Sequence, residues 1–340
     1  MQKWIIIVIL PMKKIKVIAF LILVGVVLLW GVAPVMTKAI YEAEPALYSP
    51  GLLIALRGLL AVIAMAIFIN KGFKKVNKSY WICIPAGLIL AAAYIFQFVG
   101  LKYTEPSKNA FLENISCITI PVFLFIFIRE KPTWYNVVSA LICVVGSLFL
   151  VGNGFDFLHF FKSGSLLGDG LSAIGGLFFG LDIAFTKVFC KDKDPLIYVF
   201  FQLCITTVVA FIYTFAIEGP VFHEIHFTFD VIPILEVVFL GVICMAVCWV
   251  ARAWSMKYID AVTVSLLVPL SAAVATVLSI SFGFEGFTWN LLIGGLIILL
   301  SIAISAIFDY RKECQSHKEN NENNDNEEVI VQDEPNQSEL

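Results

Sequence analysis

Runs of about twenty apolar residues, separated by short clusters containing Pro, Gly, Lys or Asp, fill nearly the whole chain. A helix rises 1.5 Å per residue, so about 20 apolar residues cross the hydrocarbon core of a bilayer. Ten such segments are read: 17–40, 50–70, 79–101, 107–128, 134–152, 168–187, 195–217, 232–256, 261–283 and 287–308. The pattern predicts an all-α integral membrane protein with ten transmembrane helices. The longest joins, 153–167 and 218–231, are too short to hold a soluble domain. From about Glu313 the chain is rich in Asn and Glu (HKENNENNDNEE). It has too little apolar surface to fold, so 309–340 is read as a disordered acidic tail. Residues 1–11 (MQKWIIIVILP) form an apolar run too short to span. They are expected to be dispensable, with 1–16 an extension ending in a basic segment and Met12 a natural start.

Composition agrees with the hydropathy pattern. Of 340 residues, 60% are hydrophobic and only 14% charged, against roughly 25% charged in a soluble domain. Mean hydropathy is +0.90. A water-soluble globular protein could not cover its surface with so few charges. The net charge of −3 reflects the acidic tail, while the body is mildly basic. No basic stripe with interleaved aromatics points to nucleic acid. Of eight cysteines, seven lie in or beside apolar runs, so a disulfide framework is not expected. Cys244 and Cys248, four apart on one helix face, read as small apolar residues.

Lys and Arg positions set the orientation. One set of alternate loops holds Lys13, Lys14 and Lys16; Lys71, Lys74, Lys75 and Lys78; Arg129 and Lys131; Lys191 and Lys193; Lys257; and Arg311 and Lys312. The other set holds little more than Lys102 and Lys162. The first set is placed in the cytoplasm of a multi-pass plasma-membrane protein. Both termini are then cytoplasmic, which requires an even number of spans.

The chain also repeats itself. Trp30-Gly31 and Thr37-Lys38 match Phe179-Gly180 and Thr186-Lys187 at an offset of 149. Leu101-Lys102-Tyr103 matches Met256-Lys257-Tyr258, and Glu105 matches Asp260, at an offset of 155. Glu130 with Thr133-Trp134 matches Glu285 with Thr288-Trp289 at the same offset. Several matches in order, at nearly one spacing, indicate a duplicated unit. Residues 17–152 and 168–308 would be the two units, joined by an outer linker at 153–167. Each has five helices, so the second copy enters the membrane from the opposite side. Two inverted five-helix repeats are an architecture of secondary transporters.

These motifs resemble the EamA family of the drug/metabolite transporter superfamily. The resemblance rests on Leu29-Trp30-Gly31, on the stretch Gln97 to Thr104, on Pro121-Val122-Phe123 and on the turn Arg129 to Thr133. In the second half it rests on Trp254 to Tyr258, Leu267 to Leu270 and Gly283-Phe284-Glu285. It implies ten helices in two repeats and transport of metabolites, often export of amino acids or related compounds. One departure is the fourth segment, which begins Lys108-Asn109-Ala110-Phe111-Leu112-Glu113-Asn114 and is more polar than the family's usual apolar helix.

An ionisable side chain at membrane depth costs roughly 2.5–3.5 kcal/mol on insertion scales and so marks a cavity or a partner. Arg57, Glu113, Asp182 and Arg252 are therefore the candidate substrate or proton pathway residues, together with Asn109, Asn114, Gln97 and Trp30. Asn109 lies one helical turn before Glu113 and can share its face. Three have a structural alternative: Glu113 paired with Lys108 or Arg57, Asp182 locked to Lys187 or to a polar neighbour, and Arg252 snorkelling to the inner interface. Gln202 is a weaker candidate. Tyr94 and Trp254 are further aromatic candidates, and Trp30 stands out because Phe179 mirrors it. Trp134 and Trp289 read as interface anchors. Gly175, Gly176 and Gly180 allow close helix approach. Pro34, Pro121 and Pro269 are expected to interrupt helices.

His223-x-x-His226, with Glu224, reads as a solvated outer loop, and no metal or cofactor is expected. No P-loop, dinucleotide fingerprint or nucleophile elbow is present. Energy would come from an ion gradient, most simply protons, or the process would be facilitated diffusion. The expected function is a secondary transporter, an exporter of small metabolites, working by alternating access as a monomer or homodimer. The alternative is a membrane-embedded enzyme acting on lipid-linked or small substrates. It would need a catalytic cluster in a sizeable loop, and the loops are too short.

Overall fold

In the computed structural model, the description covers residues 2–43, 49–69, 76–129, 131, 133–151, 166–219, 231–284, 286–287, 289–290, 293–298, 300–301, 304 and 307–308. All regular structure among them is helical. The helices are α1 (Gln2–Ala43), α2 (Pro50–Ile69), α3 (Cys83–Tyr103), α4 (Pro106–Glu113), α5 (Ser116–Ile128), α6 (Trp134–Val151), α7 (Leu166–Phe189) and α8 (Pro195–Ile217). Then come α9 (Val231–Val238), a π-helical stretch (Phe239–Val247), α10 (Cys248–Ser255), α11 (Ala261–Leu267) and α12 (Pro269–Ser281). A short 3₁₀ turn, Lys78–Ile82, leads into α3. Residues 153–165 of the inter-repeat linker, the loop with His223 and His226, and the tail from 309 lie outside the described residues; the end of the linker, 166–167, belongs to α7.

Among the described residues, seven helices, counting stacked pieces as one, are long and apolar enough to cross a membrane. The other expected spans correspond to α6, to α11 with α12, and to residues 289–308, which are described only in part. The outer surface suits lipid. Ile67, Phe68, Ile212 and Phe215 are all more than 60% exposed, an apolar belt that water would penalise. Trp134 and Trp289 are also exposed at helix starts, as interface anchors require.

Helix ends follow local rules. Asp194 caps α8 by accepting from the Leu196 N–H at 3.0 Å, and Pro195 occupies the first turn. The breaks depart from expectation. Of the three prolines, only Pro269 stands at a break, between α11 and α12. Pro121 sits inside α5, and α1 runs on through Pro34. The fourth segment instead breaks just after Glu113. There the N–H groups of Asn114, Ile115, Cys117 and Ile118 bond three residues back rather than four, a tightened turn. A proline inside a helix removes one N–H, and neighbouring groups can absorb that loss.

Packing is close where glycines face a neighbouring helix. The longest interface joins α3 to α7, with α2 on α8 next. At Gly176 of α7, a Cβ would meet the Leu112 carbonyl oxygen at 2.7 Å and the Glu113 Cα at 2.8 Å. Glycine here sets how closely α7 approaches the fourth segment.

Two lysines secure helix ends. Lys38 Nζ donates to the carbonyls of Leu101 (3.5 Å) and Thr104 (3.3 Å) where α3 finishes. Lys187 Nζ donates to the carbonyls of Met256 (2.8 Å) and Ile259 (2.7 Å) where α10 finishes. These contacts lie at opposite ends of the bundle, because α3 and α7 run antiparallel, with Gly168 against Tyr103 at the Lys38 end. At the Lys187 end the Asp194 N–H reaches Tyr80 Oη (3.2 Å), and Lys257 reaches the Lys193 carbonyl (2.6 Å). The loops carrying Lys78, Lys193 and Lys257 thus share one end.

Candidate functional site

A cavity of about 50 Å³ lies at the middle of the bundle. Its walls include Trp30 and Thr37 from α1, Arg57 from α2, Tyr94, Gln97 and Phe98 from α3, and Glu113 at the end of α4. Phe179 of α7, Trp249 and Arg252 of α10, and Val268 at the α11–α12 break complete it. A water needs roughly 10–15 Å³ of such space, so the cavity has room for a few waters.

Four rings form its centre. Trp30 meets Trp249 with centroids 5.5 Å apart, and Phe179 meets Tyr94 at 5.4 Å. Trp249 Nε1 donates to Tyr94 Oη at 2.6 Å, and Trp30 Nε1 donates to the Cys244 carbonyl at 3.1 Å. Both indole donors are thus satisfied. Trp30 and Phe179 are 149 positions apart, and Tyr94 and Trp249 are 155 apart. Gln97 and Arg252 share the second offset, as do Glu113 and Val268. Trp254 lies outside this box, packed on Tyr258 at 5.0 Å.

The charged candidates divide into paired and unpaired. Arg252 Nη2 lies 2.7 Å from Asp182 Oδ2, with the side chains 1% and 0% exposed. Gln202 Nε2 donates to the other Asp182 oxygen at 2.6 Å. The expected snorkelling of Arg252 does not occur, because the pair and the Trp249 ring face 4.0 Å away hold the guanidinium inside. Lys187 does not lock Asp182, since its ammonium is spent on the α10 carbonyls. Asp182 itself does not line the cavity; it sits behind Arg252.

Lys108 pairs with Asp169 at 2.6 Å, and Thr104 Oγ1 donates to the same carboxylate at 2.8 Å. Lys108 is therefore not the partner of Glu113. Asn109 Nδ2 donates to the Gln97 carbonyl (3.1 Å) and to Ser172 Oγ (2.7 Å). That tie between α3, α4 and α7 is structural rather than a cavity contact. Asn114 is buried and also off the cavity wall.

Two charged side chains of opposite sign remain. Glu113 Oε2 accepts from Gln97 Nε2 at 2.8 Å and has no cationic partner among the described residues. Arg57 is 3% exposed and has no carboxylate partner among them. Its Nε and Nη1 find no hydrogen-bond acceptor. Its contacts are ring faces: Cζ lies 4.8 Å from the Phe98 centroid and 5.7 Å from Tyr94. A desolvated cation–π contact contributes about 2 kcal/mol. Each buried unmet donor costs about 1–3 kcal/mol, so the rings alone leave Arg57 under-satisfied.

Among the candidates, Trp30, Arg57, Gln97, Glu113 and Arg252 line the cavity, while Asp182, Asn109 and Asn114 support it from behind. Trp249, Phe98 and Asp169 were not singled out in the sequence. Trp249 could have been found by adding the 155-residue offset to Tyr94; nothing along the chain marks Asp169. Among the described residues, no cluster of His, Cys, Asp or Glu could hold a metal.

The sequence model of the EamA-like transporter family matches residues 17–152 and 166–307. An uncharacterized transporter of Archaeoglobus fulgidus is 23% identical over 70% of this chain and 81% of its own. The uncharacterized transporter YvbV of Bacillus subtilis is 26% identical over 84% of this chain and 90% of its own. A solved crystal structure superposes with a TM-score of 0.65 at 20% identity, over 85% of this chain and 98% of the other, a likeness of fold.

Proposed function

Because the chain belongs to the EamA-like transporter family, we propose that it is a secondary transporter that exports small metabolites by alternating access. In this reading, ten helices form two inverted five-helix repeats in the plasma membrane, with both termini in the cytoplasm. The central box supports it: Trp30–Trp249 and Phe179–Tyr94 are equivalent ring pairs drawn from both repeats, at 5.5 and 5.4 Å. A space walled by residues of two inverted units can open to either side as the units rock. At about 50 Å³ the cavity must widen to take a metabolite, which is the motion alternating access supplies.

The breaks beside Glu113 and at Pro269 are natural hinges, since each lies in the fourth segment of its repeat and borders the cavity. Glu113 carries the coupling proton, being the one cavity carboxylate without a cation among the described residues. Asp182, locked by Arg252 and Gln202, does not. Among the described residues lining the cavity, no hydrogen-bonded nucleophile–base pair is found to favour a membrane-embedded enzyme.

Proteoliposomes loaded with a panel of anionic, cationic, zwitterionic and uncharged metabolites test this reading. Efflux of at least one compound, accelerated by a proton gradient, is expected. Glu113→Gln should insert normally and lose the proton dependence. No movement of any panel member would remove the transporter reading. An unchanged proton dependence in Glu113→Gln would remove Glu113 from the coupling.

A further inference from the structure

Taking that transport reading as the basis, we propose that Arg57 anchors a carboxylate, or a similar planar oxyanion, of the transported compound, whose flat apolar part lies among Trp30, Tyr94, Phe98 and Trp249.

The inference starts from how each buried cation is satisfied. Arg252 has Asp182, Lys108 has Asp169, and Lys38 and Lys187 hold backbone carbonyls. Among the described residues, Arg57 alone of these cations has neither a carboxylate nor a carbonyl, although it is buried like Arg252 and Lys108, and deeper than the half-buried Lys38 and Lys187. It also lines the central cavity. A guanidinium kept at membrane depth with unmet donors, on the wall of a transport cavity, is poised for an acceptor that arrives with the substrate. Its planar fork matches a carboxylate through two parallel hydrogen bonds, which a lysine cannot reproduce.

The surroundings define the rest of the ligand. The Phe98 and Tyr94 rings beside the guanidinium, with Trp30 and Trp249 beyond them, offer faces rather than polar edges. A small inorganic anion would leave those faces unused. Glu113, on the same cavity wall without a cation, admits a second, positively charged group but does not require one. Both a simple aromatic carboxylic acid and an aromatic amino acid therefore carry the shared chemistry.

The test uses the purified full chain and four probes of one shape: 3-phenylpropanoate, phenylalanine, phenylalaninamide and phenethylamine. Ligand-induced thermal stabilisation is read first, because it compares probes on the unaltered protein. At least one of the two carboxylates should bind tenfold or more tightly than phenylalaninamide and phenethylamine. Tighter binding of phenylalanine than of 3-phenylpropanoate would indicate an amino acid; the reverse would indicate a simple acid. Arg57→Gln should remove the preference for acid over amide, and Arg57→Lys should recover only part of it. Should Arg57→Gln not fold, the acid-versus-amide comparison on the unaltered protein decides the matter. Equal binding of acid and amide, or an Arg57→Gln protein that binds the acid as before, overturns the assignment. So does a metabolite panel in which the only transported compounds lack an anionic group. That last result leaves the transport reading standing, whereas a panel in which nothing moves removes the transport reading itself.

Discussion

Lys38 and Lys187, 149 positions apart, make the same kind of contact at opposite ends of the bundle. Each reaches from one helix to two carbonyls where another finishes. The bonds from Lys187 are 2.7 and 2.8 Å long, against 3.3 and 3.5 Å from Lys38. Lys187→Met should therefore destabilise the protein by ~1.5–3 kcal/mol, the range for a charge-assisted hydrogen bond. Lys38→Met should have the smaller effect. Denaturation of the purified protein in detergent compares the two.

Asp182 and Arg252 should behave as a unit. Removing one partner of a buried pair leaves an uncompensated charge and costs about 3–5 kcal/mol. Asp182→Asn and Arg252→Met should each lose roughly that much, and the double variant should lose far less than the sum. A double-mutant cycle on thermal unfolding measures the difference. Additive losses would mean the two charges are not coupled.

Gly176 and Gly170 lie on the same helix in different surroundings. A Cβ at Gly176 collides with the backbone of Leu112 and Glu113, whereas at Gly170 it meets nothing within 4 Å. Gly176→Ala should cost about 1–3 kcal/mol by overpacking and should also displace Glu113, disturbing proton-dependent transport. Gly170→Ala should be neutral or stabilising by up to ~1 kcal/mol, because it adds helix propensity at an exposed site. Melting curves of the two variants test the contrast.

Topology is open to cysteine labelling. Single cysteines at Lys78 and Lys191 should share one face of the membrane, and those at Lys102 and Gly286 the other. A membrane-impermeant maleimide on intact cells should reach only the second pair. Labelling that separates Lys78 from Lys191 would dismantle the inverted repeat. The native Cys190 should not obscure the result. Its burial pushes the thiol up to about 11, and the thiolate is the reactive form. Near neutral pH it stays protonated and slow, and its labelling should speed up only as pH rises toward that value.

The sequence by itself determined the quantities that accumulate along the chain. Apolar run length gave the helices, the Lys and Arg asymmetry gathered the basic loops at one end, and the repeated motifs pointed to the family. Trp30 and Phe179 were visible as equivalents because each sits in a local pattern that recurs. Tertiary structure alone decided which charges meet. Arg252 turned inward to Asp182, 70 positions away, instead of snorkelling. Lys187 took the carbonyls of Met256 and Ile259, Lys108 took Asp169, and Asn109 tied Gln97 to Ser172. Each pairing depends on the rotation and register of one helix against another. A rotation of one helix position moves a side chain from cavity to lipid, while hydropathy along the chain hardly changes. Arg57 became informative only once every other buried cation had been given its partner.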